Sequence, residues 1–154
     1  MKPLEIGDVA PDFVVDPATG RTLHELIDEL KIPALVYFYP ADFSPACTAQ
    51  ACMVRNVVRR ESSENGIVIG VSPQRDALHR AFQKAMHLPQ RLVSDQDRVI
   101  GKSYGAVGPM GFSRRLSYVI GVDNQIALMA EGGLALVAHR ELAQQYYRIL
   151  NMKP

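Results

Sequence analysis

Tyr37-Phe38-Tyr39-Pro40-Ala41-Asp42-Phe43-Ser44-Pro45-Ala46-Cys47-Thr48-Ala49-Gln50-Ala51-Cys52 is a junction: an apolar run breaks at a proline and restarts as a helix that carries both cysteines of the chain. Ala34 to Tyr39, bounded by Pro33 and Pro40, reads as a strand buried on both faces. Ser44-Pro45 then reads as an N-cap residue followed by proline at the first helical position, where its missing N–H costs nothing. Cys47 falls on the third helical position. Its sulfur is expected near the unpaired N–H groups and the positive end of the helix dipole, which favour a thiolate. From these residues alone, Cys47 reads either as an ionised nucleophile or as a buried helical cysteine.

The second cysteine follows five residues later. Five helical residues advance the chain by about 7.5 Å and rotate it by about 140°, which puts the two Cα atoms roughly 8.7 Å apart. A disulfide needs Cα atoms within about 7 Å. Bonding of these two sulfurs would therefore require the first turns of the helix to unwind.

The remaining chain fits around that junction. Residues 1–22 hold the turn-forming clusters Gly7-Asp8, Pro11-Asp12, Asp16-Pro17 and Gly20, which predicts an extended arm with at most short strands. Thr22 is a candidate cap for a short helix with Leu23, Leu26, Ile27 and Leu30 at helical spacing. The cysteine helix is expected to run to about Ser62, with Met53, Val54, Val57 and Val58 as its apolar stripe. A second buried strand is expected over 66–71. A helix follows over 75–87 with Leu78, Phe82, Ala85 and Met86 inward, and Leu92-Val93 forms a short strand. A short helix over 95–104 has Asp95 as a candidate cap and Gly105 at its end. The loop 105–113 holds Met110 and Phe112, two large apolar residues. A hairpin is expected over 116–130, turning at Asp123-Asn124, and a last helix over 139–150. Buried strands alternating with helices, then a hairpin and a helix, is the order of an α/β, thioredoxin-like fold: a central mixed sheet flanked by helices, here with an N-terminal extension. The 154 residues are expected to form one domain.

Composition narrows the function class. The chain is 47% hydrophobic and 21% charged, with a net charge of +1, so nothing in its charge favours nucleic acid or an anionic membrane as partner. No run approaches the ~18 apolar residues of a membrane helix, and the cytoplasm is the default expectation. There, two cysteines serve catalysis or redox cycling more readily than permanent cross-linking. The histidines His24, His79, His87 and His139 lack ligand spacing; they are expected at the surface or half-buried, with no metal site.

The run Pro40-x-x-x-Ser44-x-x-Cys47 is similar to the peroxiredoxin motif, and Tyr37-Phe38-Tyr39-Pro40 followed by Cys47-Thr48-x-x-Ala51-Cys52 resembles the bacterioferritin comigratory protein (PrxQ) subfamily. Gly7-Asp8-x-Ala10-Pro11-Asp12-Phe13, Gly70-Val71-Ser72, Ser94-Asp95, Tyr104-Gly105 and Arg115-x-Ser117-Tyr118-x-Ile120 follow in the family's order. Two positions depart from it: the family usually has threonine where Ser44 stands and commonly glutamate where Gln50 stands.

The resemblance implies a thioredoxin-like fold and a thiol-dependent peroxidase acting on hydrogen peroxide and organic hydroperoxides without a bound cofactor. It implies Cys47 as the peroxidatic cysteine and Cys52 as the resolving one, through a sulfenic acid and an intramolecular disulfide, with thioredoxin or glutaredoxin as reductant. Pro40 would shield the thiolate, against a plain reading as a strand terminator. Ser44 would cap the helix or turn its hydroxyl toward sulfur and substrate. Arg115 is selected over Arg114 as the cation beside the sulfur only by the family pattern. Cys52 could instead be an unreactive core-facing cysteine. A monomer is expected, with the Cys47 sulfur ionised and open to peroxide. The rivals are a thiol-disulfide oxidoreductase, disfavoured by the C-x4-C spacing, and a peroxide-sensing module.

Overall fold

The computed structural model describes residues 2–61, 66–109, 111, 113–132 and 136–152. Met110, Phe112, Ser62 and Gly133 lie outside the described residues. Strands β3 (Ala34–Phe38), β4 (Ile67–Ser72), β5 (Arg91–Ser94), β6 (Leu116–Ile120) and β7 (Ile126–Glu131) form one sheet in the order β5-β4-β3-β6-β7. β3, β4 and β5 run parallel, while β6 is antiparallel to β3 and β7 to β6. A separate two-stranded hairpin, β1 (Val14–Asp16) with β2 (Arg21–Thr22), makes up part of the N-terminal arm. This is the thioredoxin-like mixed sheet between helices that the order of elements predicts.

The two faces of β3 show why its run is apolar throughout. Side chains alternate across a strand. Ala34, Val36 and Phe38 enter one core with Leu23, Leu26 and Ile27 of α1 (Leu23–Leu30), while Leu35, Tyr37 and Tyr39 enter the other. That second core holds Cys47, Ala51, Val54 and Val57 of α2 (Pro45–Glu61), Phe82 of α3 (Asp76–Met86) and Leu142, Ala143, Tyr146 and Tyr147 of α5 (Val137–Asn151). The cysteine helix therefore shares its face of the sheet with α3 and α5, and α1 covers the opposite face. Gly70 lies opposite Tyr37 in the β3–β4 register, and a Cβ there would stand 2.7 Å from the Tyr37 ring. Only glycine leaves room for that phenol beneath α2.

Local signals hold where they are chemical. Thr22 and Glu25 form a capping box at the start of α1. Asp95 acts on α4 (Val99–Ser103) from a distance, its carboxylate accepting from the amides of Ile100 (3.0 Å) and Gly101 (2.8 Å). The helix is consequently shorter than 95–104, because the chain first turns through Arg98 at φ 61° before the capped amides begin. α5 starts at Val137, two residues earlier than expected.

Two expectations are corrected. Ala85 is exposed rather than inward, and the inward stripe of α3 is His79, Phe82 and, half-buried, Met86. His79 and His139 are fully buried rather than at the surface or half-buried; the ring of His79 is hydrogen-bonded to Asp42 through Nδ1, and that of His139 to Ser117 and the Gly132 carbonyl.

Candidate active site

The site is built where β3 ends. Tyr39 N–H still donates to Val71 (3.1 Å), and the half-buried Pro40 follows, its carbonyl accepting from Ser72 Oγ (3.4 Å). The loop then delivers Ser44 as the N-cap of α2. Its hydroxyl accepts from the Cys47 amide (3.3 Å) and donates to the Ala41 carbonyl (3.3 Å), and its carbonyl accepts from Thr48 N–H (2.8 Å). The serine hydroxyl thus binds backbone on both sides and leaves the sulfur to other donors.

The Cys47 sulfur lies 3.4 Å from Nη2 of Arg115, and Nη1 of the same guanidinium donates to Gln50 Oε1. Arg115 reaches from the start of β6 across to the first turn and a half of α2. The sulfur thus sits at the start of α2 with a guanidinium beside it. Arg114 points elsewhere, half-buried and 3.8 Å from Glu131. The sulfur is less open than expected: Cys47 is only 2% exposed, packed beside Tyr37, Tyr39 and Ala51. The phenols of Tyr37 and Tyr39 are pushed far above their ordinary range, chiefly by burial. At neutral pH both phenols are therefore uncharged: that of Tyr37 accepts from Gln90 Nε2 (3.1 Å), and that of Tyr39 donates to Asp42 (2.6 Å).

Cys52 stands farther along the same helix, half-buried and, like Cys47, a free thiol. The structure therefore brings Ser44, Cys47 and Arg115 together and keeps Cys52 on the continuous helix. Gln50 was not foreseen as the residue that orients Arg115. It is buried with its Nε2 unpaired among the described residues, so its orientation serves the arginine rather than its own hydrogen bonding. Its position three residues after Cys47, nearly one helical turn, is the signal that placed it on the same face.

Two further buried clusters flank the site. Asp42 in the loop binds Tyr39 and His79. His139 Nε2 lies 3.2 Å from the Gly132 carbonyl, which makes Nδ1 the acceptor of the Ser117 hydroxyl at 2.8 Å. Burial first, and the charge of Arg115 as a lesser contribution, hold His139 below its ordinary value against the raising effect of the Gly132 carbonyl. The folded state thus prefers the neutral ring, while the unfolded chain takes up a proton near pH 6.5. Stability contributed by this ring is present above that pH and lost as the pH falls through it. Denaturant midpoints measured between pH 7.5 and 5 are expected to fall more steeply for the parent than for His139→Asn; equal slopes would remove His139 from the acid response.

A model of the AhpC/TSA family matches residues 6–129. The chain belongs to the AhpC/TSA family. Within that family its kin are peroxiredoxins of the Q/bcp kind. It is 34% identical over 105 residues to the putative peroxiredoxin bcp of Coxiella burnetii, covering 68% of each chain. It is also 33% identical over 125 residues to the chloroplastic peroxiredoxin Q of Arabidopsis thaliana, covering 80% of this chain and 57% of that protein's length. This peroxiredoxin also superposes on the crystal structure of peroxidoxin BcpB from Mycobacterium tuberculosis with a TM-score of 0.80 at 25% identity, over 98% of this chain and 99% of the other.

Proposed function

We propose that this peroxiredoxin is a thiol peroxidase for hydrogen peroxide and organic hydroperoxides, with Cys47 as the attacking thiolate. The observation that carries the reading is the Arg115 guanidinium 3.4 Å from the Cys47 sulfur at the start of α2. The thiolate attacks the terminal peroxide oxygen in line with the O–O bond; an S–O bond forms, the O–O bond breaks, the hydroxyl stays on sulfur as the sulfenic acid, and the departing alkoxide or hydroxide takes up a proton from solvent. Arg115 serves this step by holding negative charge as it passes from sulfur to the departing oxygen. Pro40 and Tyr39 keep water away from the sulfur, and Ser44 holds the helix mouth in place.

The product is a sulfenic acid on Cys47. Attack by the Cys52 thiol forms an S–S bond and releases water, so two electrons have passed from two thiols to one peroxide. An outside dithiol, thioredoxin or glutaredoxin, returns two electrons and two protons by exchange. Thiol titration tests the reading directly: one equivalent of hydrogen peroxide is expected to take the reduced chain from two free thiols to none. Retention of both thiols after prolonged exposure would reject it.

Arg115→Ala is expected to slow the first oxidation by roughly 10²-fold, the usual cost of removing a donor aimed at developing charge. Arg115→Lys should fall between, since a point charge cannot serve Gln50 and the sulfur at once. Rapid-mixing rates across peroxide concentration check both, and an alanine variant oxidised at the parental rate would leave the guanidinium without a role.

A further inference from the structure

The loop between β3 and α2 carries a buried carboxylate that the peroxidase reading does not use. The Asp42 side chain is wholly enclosed. Its Oδ1 accepts from the Tyr39 hydroxyl at 2.6 Å and its Oδ2 lies 2.6 Å from His79 Nδ1. A carboxylate away from water is tolerated only when paired and hydrogen-bonded. Here the two partners come from different elements: Tyr39 from the end of β3 and His79 from α3. Since an ionised carboxylate only accepts, His79 Nδ1 carries the hydrogen.

The rest of the histidine is not satisfied. His79 is 0% exposed, and its Nε2 has no hydrogen-bond partner among the described residues. Leaving a buried polar atom unpaired costs about 1–3 kcal/mol. An apolar residue would fill this place on the Phe82 stripe of α3 without that penalty, so packing alone does not account for the imidazole. What it supplies is the donor to Asp42.

The next residue strengthens the attachment. Phe43 takes φ 64°, the left-handed region that costs a residue with a large side chain, and its ring lies 5.0 Å from that of Phe82 on α3. Two consecutive loop residues are thus fastened to one helix. One step later Ser44 bridges the Ala41 carbonyl and the Cys47 amide. The shape of residues 41–44 is therefore the shape of the cap that seats the sulfur.

We infer that His79 is a positioning residue for the peroxide reaction: its hydrogen bond to Asp42 fastens the 40–44 loop to α3 and so holds Cys47 in the seat beside Arg115. The inference rests on the peroxidase reading above. It assigns the loop to the fixed part of the cycle, with the unwinding that brings Cys47 to Cys52 beginning after Ser44. Loss of the His79 donor releases that fixed end. The seated form then becomes rarer, and attack on peroxide slows. Closure of the disulfide needs the unseated form and does not slow.

The two steps can be read separately. In a Cys52→Ser background, oxidation of Cys47 by hydrogen peroxide is followed by rapid quenching and mass spectrometry; with Cys52 present, conversion of the sulfenic acid to the disulfide is followed the same way. His79→Leu is expected to lower the first rate about tenfold or more, in line with a lost buried hydrogen bond, and to leave the second unchanged or faster. His79→Asn, whose amide nitrogen stands close to the place of Nδ1, should restore the first rate to within about threefold of the parent. Asp42→Asn provides the same test from the loop side without removing a side chain from α3, and should reproduce the slow oxidation. The inference is overturned if these variants react at the parental rate, or if both steps slow together and asparagine fails to rescue. A Cys52→Ser parent that does not react with peroxide would overturn the peroxidase reading instead, and this inference with it.

Discussion

Cys47→Ser is expected to abolish peroxide consumption, dropping it to the rate of a protein-free solution. The substitution removes the one sulfur seated on the capped turn of α2 and 3.4 Å from the Arg115 guanidinium. A serine hydroxyl in that place stays protonated and attacks peroxide too slowly to register. The fold should survive, because serine is close to cysteine in size and the Arg115 nitrogen can still donate to its oxygen. Following peroxide loss alongside the thermal midpoint separates the two effects. Consumption above background by a folded Cys47→Ser chain would move the chemistry to Cys52, which lacks the helix-start position. That result would be fatal to the assignment.

The parts of this structure that were legible in the sequence are those set by local chemistry. Pro33 and Pro40 bracket β3, Ser44-Pro45 opens α2, Thr22 caps α1, and Asp123-Asn124 turns the hairpin; each reads correctly because the residues in question satisfy their own backbone. Arg115 is different. A single sequence offers Arg114 and Arg115 with equal chemistry, and only strand parity separates them. Ser117 and Val119 face the side of the sheet that α2 covers, and Arg115, two residues before Ser117, shares their parity. Leu116 and Tyr118 face the opposite core with the parity of Arg114. That register is fixed by pairing with β3, a contact between residues about 80 apart in the chain, which no local pattern states.

The histidines show a signal that was present and outweighed. His79, Phe82 and Met86 have helical spacing, and so do His139, Leu142, Ala143 and Tyr146. Both histidines therefore belong to buried stripes. Reading them as surface or half-buried residues followed the usual habits of a polar side chain, and what overrode those habits was a partner that only the tertiary fold supplies: Asp42 for one, Ser117 and the Gly132 carbonyl for the other. Gln50 follows the same rule, since its place on the helix was legible and its arginine was not. The openness of the Cys47 sulfur was misjudged for a related reason, because the core it joins is built largely from other elements, Tyr37 and Tyr39 before the helix among them.

Cys52→Ser should leave the first oxidation of Cys47 within about twofold of the parent, yet reduce thioredoxin-supported turnover to background, because the sulfenic acid then has no partner thiol in the chain. On the proposed cycle the resolving step would be a folding event. Two cysteines five helical residues apart cannot bond while α2 is intact, since their Cα atoms are separated by roughly 8.7 Å against a limit of about 7 Å. Attachments along α2 decide where it gives way. Arg55 donates to the Met86 carbonyl (2.7 Å) and Arg59 to that of His87 (2.9 Å), which ties the later turns to the end of α3. Among the described residues, the first turn is held by the Ser44 cap, by the contacts of Arg115 with Gln50 and the Cys47 sulfur, and by the burial of Cys47 itself. Unwinding would therefore start at the N-terminal turn, at a cost of a few hydrogen bonds of about 1 kcal/mol each. Circular dichroism should show that loss of helix in the oxidised parent and not in oxidised Cys52→Ser, whose Cys47 proceeds with excess peroxide to the sulfinic acid. Sustained cycling by Cys52→Ser, with a disulfide-linked dimer on a non-reducing gel, would mean that two Cys47 sulfurs from separate chains close the cycle, and that α2 need not open for its own second thiol.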